Sequence, residues 1–408
     1  MTDMATAEAL LITQYYRPEP IGSGPFCAEV AEWITQNGRN VAVLTSMPHY
    51  PTPAIFATAN GAQARQEVIN GVGVQRLQNW IPRRATALRR ITSEGHFLLL
   101  GLLALATRRT RRHDLILSLC PSILSVALGV IAKSREGRHV ALVHDIQSGL
   151  ASGLGMVRSR GLLRAMRWCE RVVLNRVDLI VVLSQEMKKQ LRAIGVRAPI
   201  DVVPIWVDVE RIRPMPRADD GRVTVLYSGN LGRKQGLDQV IALAAELQAR
   251  RADDIEIVVR GNGGEAQRLA TEIAVRGLTN IRMAELMPPE QLAESLASGD
   301  IHLVPQDPDA ADFAVPSKVY NIMAAGRPFV ATAGAQTSLW RLCQESGGFL
   351  CVPPNDPLAF ADAVMGLARN RELRASLGAR GRWHVERHQR KPDVLTHLVS
   401  LIDELHHG

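Results

Sequence analysis

A series of short, continuous apolar runs, each followed by a longer stretch of helical periodicity, constrains this chain more than any other feature. In the first half the runs are "ALLITQYY" (Ala9 to Tyr16), "NVAVLTS" (Asn40 to Ser46), "DLILSLC" (Asp114 to Cys120), "HVALVHD" (His139 to Asp145) and "DLIVVLS" (Asp178 to Ser184). They do not alternate polar with apolar residues as half-exposed strands do. Continuity marks strands buried on both faces, which are the strands of parallel sheets covered by helices. The intervening segments suit that role: "FCAEVAEWITQNG" is periodic and stops at Gly38, the glycine expected after a helix.

"DVVPIWVDVERIRPMPRADDGR" breaks the rhythm with Pro204, Pro214 and Pro216, as an interdomain connection would. The runs "VTVLYSG", "IEIVVRG", "NIRMAEL", "DIHLVPQ", "RPFVATA" and "GGFLCVP" then restart it. A chain of 408 residues is too long for one compact core. The expected fold is α/β, with two doubly wound Rossmann-like domains facing across a cleft. They occupy residues 1–205 and 206–385, and a C-terminal helix over 386–408 packs back toward the first. Open parallel sheets bind ligands outside the carboxyl ends of their strands, so the residues just after each run are the functional candidates.

Hydrophobic residues make up 46% and charged residues 22%, the balance of a chain able to bury a large interior. Cys27, Cys120, Cys169, Cys343 and Cys351 form no C-x-x-C pair, which argues against a disulfide framework or zinc ribbon and for a reducing cytosol. The N-terminus has no positively charged start ahead of its apolar run, so it reads as a first strand and not as a secretory signal.

The net charge of +8 suggests an anionic partner: nucleic acid, lipid head groups or phosphorylated substrates. Much of it flanks one segment, residues 83–112, where Arg83, Arg84, Arg89 and Arg90 precede Phe97 to Ala106 and Arg108, Arg109, Arg111 and Arg112 follow. The apolar part is half the ~20 residues that span a bilayer, so it is not expected to cross one. A core helix with solvated basic ends is one reading, and docking on an anionic membrane surface is the other. Aromatics are only 4% and none interleave with these arginines, which disfavours nucleic acid.

Three loops carry the chemistry in the second half. "YSGNLGRKQG" places Gly229, Asn230 and Gly232 ahead of Arg233 and Lys234. Glycines free the backbone to cup phosphate oxygens, and the two cations can neutralise charge growing on a departing diphosphate. "VVRGNGGE" repeats the arrangement with Arg260, Gly261, Asn262, Gly263 and Gly264. In "AVPSKVYNIMAAG", Pro316 and Ser317 open a short helix and Lys318 adds a cation, which suits a phosphate; ordinary capping is the alternative. Asp307 to Asp309, "DPD", reads as turn chemistry and not as a metal site.

In the first half, "RPEPIGSG" brings Gly22, Ser23 and Gly24 to a helix start near Pro25, where an anion or a polar sugar is favoured; a plain tight turn explains the glycines equally. His144 ends the fourth run beside Asp145. It is either a satisfied structural histidine or a donor and acceptor for a reacting sugar.

Four stretches, "YYRPEPIGSGPFCAEVAEWI" with "VAVLTSMPHYP", "YSGNLGRKQGL", "GNGGEAQRLA" and "AADFAVPSKVYNIMAAGRPFV", resemble the retaining glycosyltransferases of family 4 with the GT-B fold. The resemblance is to the colanic acid and exopolysaccharide biosynthesis group in particular. It implies a donor nucleotide and diphosphate on the second domain and an acceptor on the first. Gly22 to Gly24 then match the first loop, Lys234 the donor-phosphate cation, and Ser317 and Lys318 the phosphate-binding helix start. Met287 and Pro288 lie at the nucleobase edge, and His144 lies beside the transferred sugar. Phe313 and Asn321 stand where many members carry glutamates, Asn230 where an arginine is usual, and Gln147 where the related group tends to be acidic.

The expected function is retaining, metal-independent transfer of a hexosyl group from a nucleotide-diphosphate sugar to a lipid-linked saccharide in exopolysaccharide biosynthesis. No cofactor is expected, His144, Arg233 and Lys234 carry catalysis, and the protein works on the inner face of the cytoplasmic membrane. A nucleotide-sugar epimerase and a non-catalytic nucleotide-sugar-binding partner are the alternatives. A dehydrogenase is disfavoured because no G-x-G-x-x-G follows the first strand. The choice between uridine and guanosine donors stays open.

Overall fold

The computed structural model describes residues 7–19, 22–49, 66–82, 87–107, 109–120, 122–153, 155, 157, 159–217, 221–232, 235–310 and 316–407. The chain divides into two compact units, Met1–Val203 with Leu395–Gly408, and Pro204–Val394.

The first unit is built on an eight-stranded sheet of β1 (Ala9–Ile12), β2 (Val41–Ser46), β3 (Gln66–Ile69), β4 (Val72–Leu77), β5 (His113–Cys120), β6 (Lys133–Val143), β7 (Leu179–Val182) and β8 (Ile200–Val202). The order is β3-β4-β2-β1-β5-β6-β7-β8, and every pairing is parallel except β3 with β4. The five apolar runs became β1, β2, β5, β6 and β7, because strands covered on both faces tolerate no polar alternation.

The β3–β4 hairpin has no counterpart among those runs. Asn70 and Gly71 form its turn with φ of 50° and 84°, the positive values that an Asn-Gly hairpin turn supplies. Strand β4 is buried yet contains Gln75 and Arg76, which hides it from a search for apolar continuity. Arg76 is satisfied inside: its Nε donates to Glu67 at 2.5 Å and its Nη2 to the Arg17 carbonyl at 2.5 Å.

The helix Ala87–Ala106 contains the apolar segment flagged for its basic flanks. Phe97 and Ala104 join the core with Leu10, Ile12, Leu44, Ile116 and Leu128, while Ile91, Leu99 and Leu103 stay exposed. No helix among the described residues is long and apolar enough to cross a membrane.

The second unit carries β9 (Val223–Asn230), β10 (Ile255–Asn262), β11 (Ile281–Ala284), β12 (Ile301–Val304), β13 (Phe329–Thr332) and β14 (Leu350–Val352) in the order β11-β10-β9-β12-β13-β14. All its pairings are parallel. Chain direction across the sheet reverses at β9, so the crevice beyond the carboxyl ends of β9 and β12 is its switch point. In the first unit the same reversal falls at β1, between β2 and β5.

The expected boundary between residues 385 and 386 falls inside one helix, Arg371–His388. The segment after it is still held in the second unit by a 2.8 Å hydrogen bond from Val207 N to the Gln389 carbonyl. The last helix, Lys391–His407, ends in the first unit, where Asp403 pairs with Arg39 at 2.9 Å and Arg138 Nε donates to the Leu405 carbonyl at 2.9 Å.

Candidate functional site

In the second unit two of the candidate residues, Gly229 and Lys318, meet beside the switch point, and the β10 loop packs against the β9 loop there. Gly229 and Gly261 are register partners at the ends of β9 and β10. A Cβ on Gly261 would lie 2.1 Å from the Gly229 carbonyl oxygen, so only glycine permits this pairing. Gly263, at φ of 152°, is likewise pressed against the Leu231 carbonyl, where a Cβ would stand at 2.5 Å. Leu231 N then donates to the Asn262 carbonyl at 2.9 Å and Glu265 N to the Leu231 carbonyl at 3.0 Å. These glycines let two loops lock backbone to backbone. Gly264 differs, with nothing within 4 Å of a Cβ built there.

Gly229 has the other environment. Its φ of 144° requires glycine, and the nearest side chain to a Cβ there is Lys318, whose Cδ is 3.9 Å away. Lys318 opens the helix Lys318–Ala324. Its Nζ sits 3.7 Å from the centroid of the Tyr227 ring, and the Tyr227 hydroxyl donates to the Asn230 carbonyl at 2.7 Å. The residue as a whole is half-buried, but its ammonium is shielded from solvent and has no hydrogen-bond partner among the described residues. Desolvation pushes its pKa down to about 7. The ring face offsets part of that cost through its quadrupole.

One buried side chain, Gln239, ties three loops together. Gln239 Nε2 donates to the Gln306 carbonyl at 3.0 Å after β12, and its Oε1 accepts from Asn355 N at 3.0 Å after β14. Gly236, at φ of 58°, closes the β9 loop onto the same point. Asp307 Oδ1 accepts from Asp309 N at 2.9 Å, an Asx turn that agrees with the reading of "DPD" as turn chemistry. No group of metal-ligating side chains occurs among the described residues.

Other expected positions stand differently. Arg260 turns away from the loops: one Nη donates to the Ser295 hydroxyl at 2.8 Å, the Ser295 carbonyl at 3.1 Å and the Ser298 hydroxyl at 3.1 Å, tying β10 to the helix Leu292–Ala297. Asn262 Oδ1 accepts from the next backbone amide, Gly263 N, at 2.7 Å. Ser317 has helical backbone angles and makes no capping hydrogen bond with its side chain, while the Pro316 carbonyl accepts from Val319 N at 3.2 Å. Asn321 is half-buried on that helix. Gly232 lies next to the Asn230 side chain. Met287 is half-buried and Pro288 exposed after β11, at the edge of the sheet. Arg233, Lys234 and Phe313 lie outside the described residues.

In the first unit, Gly22 has φ of 76° and leads through Ser23 to the helix Gly24–Gln36. Gly24 is packed on Glu19, and the buried Glu19 carboxylate accepts from His49 N at 2.9 Å. His144 follows β6. Its N–H donates to the Cys120 carbonyl at 2.9 Å and its ring meets Phe26 edge-on, with centroids 5.8 Å apart. The loops after β1, β2 and β6 thus share the carboxyl edge of this sheet.

Sequence reading missed Glu94 there. It points inward from the helix Ala87–Ala106, and its carboxylate accepts from the Ser122 hydroxyl at 3.0 Å and from Gln147 Nε2 at 3.3 Å. An acid does therefore meet the position of Gln147, but it comes from a distant helix whose periodicity marks only its apolar face. Glu94→Ala removes the acceptor of both donors and is expected to destabilise the fold by about 2 kcal/mol in urea denaturation, the usual cost of stranding buried polar groups.

The family model described as "Glycosyl transferase 4-like domain" matches residues 22–206, and that described as "Glycosyl transferases group 1" matches residues 208–384. The putative colanic acid biosynthesis glycosyl transferase WcaI of Escherichia coli (strain K12) is 29% identical over 402 residues, covering 94% of this chain and 97% of that protein. Among solved structures, the sucrose-phosphate synthase of Thermosynechococcus elongatus superposes with a TM-score of 0.78 at 17% identity, covering 98% and 99% of the two chains. Anabaena HepE in complex with UDP and glucose superposes with a TM-score of 0.72 at 14% identity, covering 97% and 99%. The two family models together match nearly the whole chain, and it belongs to the group 1 glycosyl transferases, with a glycosyl transferase 4-like first domain and the GT-B fold.

Proposed function

We propose that this glycosyltransferase moves a hexosyl group from a nucleotide-diphosphate sugar to a lipid-linked saccharide, with retention of anomeric configuration, in exopolysaccharide synthesis at the inner face of the cytoplasmic membrane. The observation that carries this reading is Lys318, an ammonium shielded from water beside Gly229 with no hydrogen-bond partner among the described residues. A buried cation is costly until an anion arrives, and a diphosphate supplies one. The UDP and glucose held by HepE support the same donor chemistry here, and the relation to WcaI supports a polysaccharide product.

In this proposal the acceptor hydroxyl attacks the anomeric carbon from the side of the leaving group. The bond from that carbon to the acceptor oxygen forms as its bond to the phosphate oxygen breaks, and the hydroxyl proton passes to the departing phosphate. Lys318 stabilises the charge on that phosphate, with Arg233 and Lys234 expected to assist. Loss of one such contact typically costs ~3 kcal/mol of transition-state stabilisation. His144 hydrogen-bonds the sugar in transfer. Side-chain cations, and no divalent metal, neutralise the diphosphate.

The purified enzyme, supplied with uridine and guanosine sugar nucleotides, is expected to release nucleoside diphosphate only when a lipid-linked acceptor is present. Turnover should survive chelator, and NMR of the product should show the donor's anomeric configuration. Conversion of the donor sugar without acceptor would identify an epimerase, and binding without release from any donor would identify a non-catalytic partner.

A further inference from the structure

Three neighbouring helices of the first unit, Ala87–Ala106, Ile123–Ala132 and Arg160–Leu174, pack side by side as a layer, the first two against the sheet and the third against the middle one. The middle helix is the packing bridge, and Gly101 of the first comes so close that a Cβ there would meet Leu128 at 2.3 Å. Among the described residues, the outer surface of this layer holds most of the exposed large apolar side chains of the unit. Ile91, Leu99 and Leu103 share one stripe of the first helix, Ile131 stands on the second, and Trp168 stands on the third. Leu99 is 64% and Trp168 59% exposed.

The third helix adds charge. Arg160, Arg164, Arg167 and Arg171 recur at helical spacing, all four are exposed, and none has an ion-pair partner among the described residues. The only carboxylates in the three helices, Glu94 and Glu170, are buried, Glu170 against the backbone and hydroxyl of Ser148. A face with exposed cations, exposed apolar tips and no exposed acid is complementary to an anionic bilayer, where apolar side chains enter the interface and arginines meet phosphates.

We infer that the outer face of this layer is a docking surface for anionic phospholipid, with the arginine ladder Arg160–Arg164–Arg167–Arg171 and Trp168 as its principal contacts. This deepens the membrane placement proposed above by moving the electrostatic anchor to a helix outside residues 83–112. It stands independently of the transfer reaction.

Flotation of the full-length protein with equimolar phosphatidylcholine and phosphatidylglycerol vesicles tests it. Wild type is expected to float, to be released by high salt, and to stay down with phosphatidylcholine alone. Each arginine changed to Gln should weaken partition about fivefold, and all four together about several hundredfold. Trp168→Ser, which keeps the charge, should by itself also weaken partition relative to wild type. Unchanged thermal unfolding and unchanged stabilisation by nucleoside diphosphate establish that the variants are folded. Flotation of the fourfold Gln variant at the wild-type level would overturn the assignment, as would a wild type that captures soluble polyanions but no vesicles. A wild type that floats yet transfers no sugar would defeat the proposed reaction and leave the docking surface standing.

Discussion

Lys318→Met is expected to stabilise the unliganded protein at pH 6 and to abolish its stabilisation by nucleoside diphosphates. The ammonium is held out of water with its pKa lowered from 10.5 to about 7. In the unfolded chain the same lysine keeps its proton to about pH 10. Between these values the unfolded state binds more protons than the folded one, so the contribution of Lys318 improves as pH rises from 7 toward 10. Below pH 7 it is charged in both states, and folding bears the full desolvation cost. Since the residue is half-buried and the Tyr227 ring compensates in part, we set the gain for Met at about 2 kcal/mol at pH 6, shrinking as the pH rises. A nucleoside diphosphate reverses the balance, because its charge restores the proton to Lys318. Wild-type affinity should therefore fall as pH rises through about 7, while the Met variant binds weakly and without that dependence. Thermal unfolding and titration calorimetry across this range read both effects. A Met variant that is less stable at pH 6, or that keeps the full nucleotide-induced shift, would remove Lys318 from the donor site.

The sheets of both units were legible because their central strands are continuous apolar runs, the pattern of parallel strands covered by helices on both faces. What escaped has a physical reason in each case. The β3–β4 hairpin rests on Asn70 and Gly71 and on Arg76, whose charge is met by Glu67 and a carbonyl, neither of which is visible from local hydropathy. The Asn-Gly pair was the available signal. Arg260 looked like a phosphate contact because it precedes a glycine loop. Strand alternation instead turns it toward Ser295 and Ser298 on a helix whose position only the tertiary fold reveals. Glu94 lies on a helix that was singled out for its arginines, and its partners Ser122 and Gln147 are more than 25 residues away in sequence. Lys318 was legible as a cation at a helix start, but its isolation over Tyr227 was not, since that depends on β9 and the helix after β12 meeting at the switch point.

The glycines after β9 and β10 allow a sharper separation of packing from ligand contact. Gly261→Ala is expected to destabilise the protein by about 3 kcal/mol, because overpacking between central strands cannot be relieved by a side-chain rotation. The atom it would strike is the backbone oxygen of Gly229, at 2.1 Å where heavy atoms essentially never approach a Cβ within 3.0 Å. β9 cannot recede, being paired on its other edge to β12. The strands must part, and the loop that carries Gly229 past Lys318 moves with them, so nucleotide affinity falls as well. Gly264→Ala has open space and no positive φ, and its stability should change by less than about 0.5 kcal/mol. The pair therefore divides two explanations of one glycine-rich loop. If Gly264→Ala keeps wild-type stability but loses nucleoside diphosphate binding, an anion approaches the backbone there. If it keeps both while Gly261→Ala loses both, the second loop serves the donor only by locking the first in place, and direct phosphate contact belongs to Gly229 and Lys318.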